Sequence, residues 1–156
     1  MPGIYKQKDY DLAGFCVGII DKKNIINKNE INKGDIIIGL MSNGIHSNGY
    51  SLINKLLDNK TLSLRKNYFG VNLGRLLIKP TLLYVDALNK IKKTISIKGA
   101  ANITGGGITE NLPRVIPKKY TISINLDNWK MPNIFRLIKE SAKLSMDEML
   151  RTFNCG

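Results

Sequence analysis

Apolar residues in this chain gather in short runs between polar, lysine- and glycine-rich connectors, and their period changes from run to run. Residues 11–20, DLAGFCVGII, are apolar and flanked by charge, which predicts a buried strand. Residues 21–33 are polar and punctuated and read as a connector between two units. GDIIIGLM at 34–41 predicts a second strand, ending where SNGIHSNG begins. After Gly49 the period becomes helical: Tyr50, Ile53 and Leu57 share a face, with Leu52 and Leu56 beside it. KPTLLYVDALNKIKK at 79–93 predicts an amphipathic helix started by Pro80, with Leu82, Val85 and Leu88 or Asn89 on its face. GAANITGGGITENLPRVIP at 99–117 reads as a short strand, three glycines, then a brief helical turn before Pro113. YTISINL at 120–126 alternates, with Tyr120, Ile122, Ile124 and Leu126 opposite Thr121, Ser123 and Asn125, as a half-exposed strand does. Pro132 opens a helix through Phe135 and Ile138, and Ser145 with Glu148 spells a capping box for a last short helix. Strands and helices are mixed without an internal repeat, so the expected class is α+β with mixed α/β layers.

Composition narrows the function classes. At 156 residues and 43% hydrophobic, the chain can bury a core and is not compositionally disordered. No apolar window of about twenty residues is present, so no membrane partner is expected. The first residues lack the charged-then-apolar order of a signal peptide. Cys16 sits in an apolar run, as a core residue would, and Cys155 is next to last; neither a disulfide framework nor zinc-ligand spacing is spelled. A reducing, cytoplasmic location is the expectation. The net charge of +12 invites a nucleic-acid reading. Yet the lysines travel with asparagines and isoleucines, the mixture an AT-rich coding sequence produces, and no basic stripe interleaves with aromatics. No nucleic-acid partner is expected, while a general attraction for small anions remains.

Two loops carry the candidate chemistry. SNGIHSNG, residues 42–49, joins a strand to a helix and writes Ser-Asn-Gly twice around the only histidine of the chain. Such a loop aims unpaired backbone N–H groups at one point, where the helix dipole adds partial positive charge, and so suits phosphate. Gly44 and Gly49 permit close approach, Ser42, Ser47 and Asn48 supply donors, and His46 offers a hydrogen bond or a proton near neutral pH. The plainer alternative is that Ser47 or Asn48 only caps the helix. TGGG, Thr104 with Gly105, Gly106 and Gly107, again follows a strand and precedes a helical turn. Three glycines cost conformational entropy that a plain turn would avoid, and they fit a place where backbone lies against a ligand. Neither loop has Walker or dinucleotide spacing; together they suggest a phosphorylated ligand. A Ser-His-Asp triad would rest on His46 alone, with no nucleophile elbow. Asp147 and Glu148 are adjacent and point apart, so they read as solvated, and Trp129 reads as a packing residue.

With those residues in view the chain resembles the phosphoribosylformylglycinamidine cyclo-ligase (aminoimidazole ribonucleotide synthetase) family. The similarity runs in order through MPGIY, DYDLAGFCVGII, SNGIHSNGYSLINKLL, KPTLLYV, ITGGGITENLPRVIP and EMLRTFNCG, over essentially all of the chain. The resemblance implies ATP-dependent ring closure of formylglycinamidine ribonucleotide to aminoimidazole ribonucleotide in purine synthesis. ATP phosphorylates the formyl-derived amide oxygen, an internal nitrogen attacks the activated carbon, and phosphate leaves. ATP and Mg2+ would be the cofactors, the ion bridging phosphate oxygens. By carry-over, His46 is the catalytic candidate. Ser42, Gly44, Ser47, Asn48 and Gly49 of the first loop and Thr104, Gly105, Gly106, Gly107 and Asn111 of the second are the substrate- or phosphate-binding candidates, with no metal ligands in this stretch.

The resemblance also implies an organisation. Residues 1–26 would be the last part of an N-terminal domain, including one strand, and residues 27–156 a C-terminal domain lacking its final strands. The family's glycine-rich and acidic segments for ATP and metal would lie upstream, and its pattern continues past FNCG. Asn102 stands where the family usually has histidine, and Leu150 where it usually has tyrosine. A homodimer at full length, or a complementing N-terminal half on another chain, would complete the cleft. Against this stand an inactive truncated remnant, folded or not, which the lack of a cooperative melt would support, and a basic nucleic-acid-binding module, which RNA binding that weakens steeply with salt would support.

Overall fold

Helices built on local sequence signals organise the computed structural model, which describes Tyr10 and residues 13–156. They are α1 (Tyr50–Asp58), α2 (Leu73–Leu77), α3 (Val85–Ile91), α4 (Gly107–Asn111), α5 (Asn133–Ala142) and α6 (Met146–Thr152), with short 3-10 turns between them. The only sheet among the described residues is a two-stranded hairpin, β1 (Asn67–Tyr68) against β2 (Val71–Asn72). Asn67 faces Asn72, and Tyr68 faces Val71, in antiparallel register. Phe69 and Gly70 link them with φ of 53° and 77°, the paired positive angles a tight hairpin turn requires.

The core lies where α1, α5 and α6 meet. Ile53 and Leu56 of α1, Ile134, Phe135 and Ile138 of α5, and Met149 and Leu150 of α6 are buried together with Ile45, Leu73, Leu77 and Phe153. Each such side chain contributes roughly 1.5–3 kcal/mol on leaving water. Phe135 and Phe153 meet edge to face with ring centroids 6.0 Å apart. The last helix starts as expected: Ser145 Oγ accepts from the Glu148 N–H at 3.2 Å, and the Ser145 N–H donates to Glu148 Oε2 at 2.8 Å.

The expected strands are corrected. Those at 34–41, 99–104 and 120–126, and the described part of 11–20, carry no ladder hydrogen bonds to any described residue; Asp11 and Leu12 lie outside the described residues. Phe15 is 95% exposed and Ile36 87%, so these runs are not buried either. Cys16, expected in the core, is exposed. An apolar run specifies a strand only when a neighbour completes its ladder and covers its face. In 120–126 the alternation survives in part, with Tyr120 and Ile122 half-buried and Ser123 exposed.

The helix expected from Pro80 begins five residues later, and α3 buries none of its residues. Its leading segment instead ties down the chain just before α1. The Asn43 side-chain amide donates to Pro80 O at 3.0 Å, and Tyr84 Oη donates to Met41 O at 3.1 Å. No helix among the described residues is long and apolar enough to cross a membrane.

Candidate functional site

The two glycine-rich loops meet. A Cβ placed on Gly105 would lie 3.5 Å from Asn48 Oδ1, so the TGGG turn and the SNGIHSNG loop face each other at contact distance. The polar groups at this junction divide into those that build the loops and those left to face outward.

Building comes first. Ser42 Oγ is 2.6 Å from Asn154 Oδ1 and 3.1 Å from Gly44 O, either of which accepts its proton, while Asn154 Nδ2 donates to Gly44 O at 3.0 Å. Gly44 is buried under this clasp. Gly49 takes φ of 84° as the residue that starts α1, and a Cβ there would overlap the Phe153 ring. In the second loop, Asn111 is only 5% exposed and its amide is fully used. Nδ2 lies within hydrogen-bond distance of the carbonyls of Gly107 (2.8 Å), Gly105 (3.1 Å) and Thr104 (3.4 Å). Its Oδ1 accepts from Thr104 Oγ1 and Arg114 Nη1, each at 3.3 Å. Gly106 has φ of 94°, and a Cβ on Gly107 would overlap the Leu150 carbonyl, where α4 packs on α6.

What remains is small and specific. Ser47 and Asn48 make no side-chain hydrogen bond among the described residues, and α1 has no side-chain cap, so the plain capping alternative is overturned. Ser47 is exposed and Asn48 half-buried. The N–H groups of Gly105 and Gly106 donate to no backbone acceptor among the described residues, whereas that of Gly107 returns to Thr104 O at 3.0 Å. Gly105 is the one glycine of the three that neither a positive φ nor a steric overlap requires. A hydroxyl, an amide and two backbone N–H groups at one loop junction suit an anionic or strongly polar ligand.

His46 sits beside them on a backbone with φ of 56°, uncommon for a residue with a Cβ. Its Nε2 is 2.8 Å from Asn43 Oδ1, and its ring centroid is 6.3 Å from that of Tyr84. Partial burial pushes the imidazole below its ordinary pKa, which favours the neutral ring. Burial likewise raises the Tyr84 hydroxyl.

The eleven candidates thus fall into two groups. The structure sets Asn48 against Gly105, with His46, Ser47 and Gly106 next to them in the chain, and spends Ser42, Gly44, Gly49, Thr104, Gly107 and Asn111 on loop shape. Asn43, Tyr84, Arg114 and Asn154 were missed. Asn43 lay inside the motif already singled out, whereas the Asn154 contact spans 112 positions and has no local signal.

No three His, Cys, Asp or Glu side chains among the described residues come together as a metal site.

Comparison with known sequences follows the same outline. Residues 32–156 match the family described as AIR synthase related protein, C-terminal domain. A phosphoribosylformylglycinamidine cyclo-ligase of Methylobacillus flagellatus is 45% identical over all 156 residues, which cover 45% of that relative. Its counterpart in Coxiella burnetii is 44% identical over the same span, covering 44% of its length. That of Alkaliphilus oremlandii is 48% identical over 160 aligned positions, covering 47%. The chain thus spans about half the length of the curated relatives it matches.

Proposed function

The chain belongs to the AIR synthase related protein family, with residues 32–156 matching that family's C-terminal domain, and from this we propose that it supplies the C-terminal half of a cyclo-ligase of purine biosynthesis. The substrate is formylglycinamidine ribonucleotide, and the product is aminoimidazole ribonucleotide. The single observation that supports this most is the meeting of Asn48 with Gly105 across two loops whose shape Ser42, Gly44, Thr104 and Asn111 hold. Ser47 Oγ, Asn48 Nδ2 and the Gly105 and Gly106 N–H groups then take the oxygens of a phosphate, from the ribonucleotide or from ATP. ATP supplies the phosphoryl group that activates the amide oxygen, and Mg2+ enters with it, held by residues outside this chain.

Residues 1–26 are read as the end of the preceding domain and 27–156 as the C-terminal domain. A further polypeptide, covalently continuous or separate, completes the cleft, and the whole works in the cytoplasm as a homodimer. The exposed Phe15 and Ile36 favour such a completion over an inactive remnant, because apolar runs of this kind are stable only when covered.

Calorimetric titration of the 156-residue chain with formylglycinamidine ribonucleotide tests the reading. Binding that Asn48→Ala weakens roughly tenfold supports it, a loss of about 1.4 kcal/mol for one polar contact. Absence of binding, together with RNA affinity that falls steeply with salt, would sink it.

A further inference from the structure

Asn43 has a fixed orientation, and that fixes the proton on His46. The Asn43 amide reaches Pro80 O at 3.0 Å, and a carbonyl only accepts, so the atom facing it is Nδ2. Oδ1 is thereby turned to His46 Nε2 at 2.8 Å. An amide oxygen also only accepts, so Nε2 must carry the hydrogen. In the neutral ring the lone pair then sits on Nδ1.

The ring has little freedom to choose otherwise. Its backbone is in the left-handed region, and Tyr84 stands beside it with its hydroxyl donating to Met41 O, one residue before Ser42. Nδ1 has no hydrogen-bond partner among the described residues. No buried side-chain nitrogen or oxygen among them lacks a partner, so Nδ1 opens to solvent.

We propose that Asn43 is a positioning residue that holds His46 as the Nε2–H tautomer, so that Nδ1 accepts a hydrogen bond from an N–H or O–H group of the ligand. The proposal rests on the reading of this junction as the ribonucleotide site and deepens it. A neutral imidazole with its lone pair outward repels phosphate oxygens, which are acceptors too. His46 therefore does not grip phosphate; it addresses the nitrogen-bearing end of the substrate, while Ser47, Asn48 and the glycine N–H groups take the anionic end. The lowered pKa of the ring agrees with this assignment, since it keeps the lone pair available at neutral pH.

The chain has one histidine, so its ring nitrogens give an unambiguous two-bond 1H–15N correlation spectrum. At neutral pH the wild-type chain should show the pattern of a protonated Nε2 and a bare Nδ1. Asn43→Ala should give the averaged pattern of two exchanging tautomers. Adding formylglycinamidine ribonucleotide should move Nδ1 more than Nε2. A wild-type ring protonated on Nδ1, or averaged as in a free histidine, overturns the proposal even if Asn43→Ala fails to fold. So does a ligand that converts the ring to a doubly protonated donor. A fixed Nε2–H tautomer with no ribonucleotide binding supports the Asn43 assignment and overturns the functional reading instead.

Discussion

Ser42 and Asn154, separated by 112 positions, share a hydrogen bond of 2.6 Å that closes the first loop onto the chain's last turn. Asn154 also donates to Gly44 O and accepts from the Gly156 N–H at 2.9 Å, so one side chain satisfies three partners. Asn154→Ala should destabilise the chain by about 1–3 kcal/mol, the usual cost of stranding a buried polar partner. Urea unfolding followed by circular dichroism reads this directly. A change below a few tenths of a kcal/mol would mean that the loop holds its shape without the clasp.

The glycines divide by what a Cβ on each would meet. Gly107→Ala drives a methyl into the Leu150 carbonyl from a backbone with φ of 59°, and should cost roughly 2 kcal/mol or more. Gly105→Ala meets only an ordinary contact with Asn48 and should stay within about 0.5 kcal/mol of wild type. If the junction is the ribonucleotide site, Gly105→Ala should nonetheless weaken ribonucleotide binding. Paired melting curves and titrations of the two variants decide the matter, and a stable, fully binding Gly105→Ala protein would count against the site.

Gly49→Ala tests the seat of α1. A Cβ there would overlap the Phe153 ring, itself wholly buried against Phe135. The expected loss is about 2 kcal/mol or more, from overpacking and from φ of 84° together. Gly49→Ala with Phe153→Leu should recover part of it, a coupling that a double-mutant cycle measures.

Cys155 gives a pH signature. Burial raises its thiol from 9.0 to about 11, so above pH 9 the unfolded chain loses a proton that the folded chain keeps. The thiol therefore contributes stability below pH 9 that is lost as pH rises from about 9 to 11. Cys155→Ala should flatten this decline relative to wild type in urea titrations across that window. A thiol reagent should label exposed Cys16 at once and Cys155 only on unfolding.

How much of this was legible in the sequence depended on how local each signal was. The Ser145–Glu148 box, the helix after Gly49 and the helix after Pro132 are written within a turn or two of chain, and all three stand as read. The strands at 34–41 and 120–126 were read from apolar pattern alone, which says that a segment wants a covered face but not whether a partner is there. The hairpin at 67–72 was overlooked because its turn is Phe-Gly, and a positive φ at Phe69 is not a preference that phenylalanine advertises. In the loops, entropy marked the three glycines of TGGG as expensive, correctly, but could not say what required them. Gly107 answers to Leu150 and Gly106 to its left-handed backbone, while Gly105 meets neither demand. Asn111 is a ligand candidate in the sequence because side-chain amides look alike there. Only the folded loop shows that its hydrogen bonds are already spent.

The clasp between Ser42 and Asn154 also sets an order of assembly. A ribosome adds about 5–20 residues per second, so the loop leaves it on the order of ten seconds before the asparagine that shapes it is made. Through that interval Gly44 has no clasp and Gly49 has no Phe153 ring against it. The junction is therefore finished late, after α1 and α5 are already available to pack, and a nascent chain interrupted before Phe153 would carry SNGIHSNG without its folded shape.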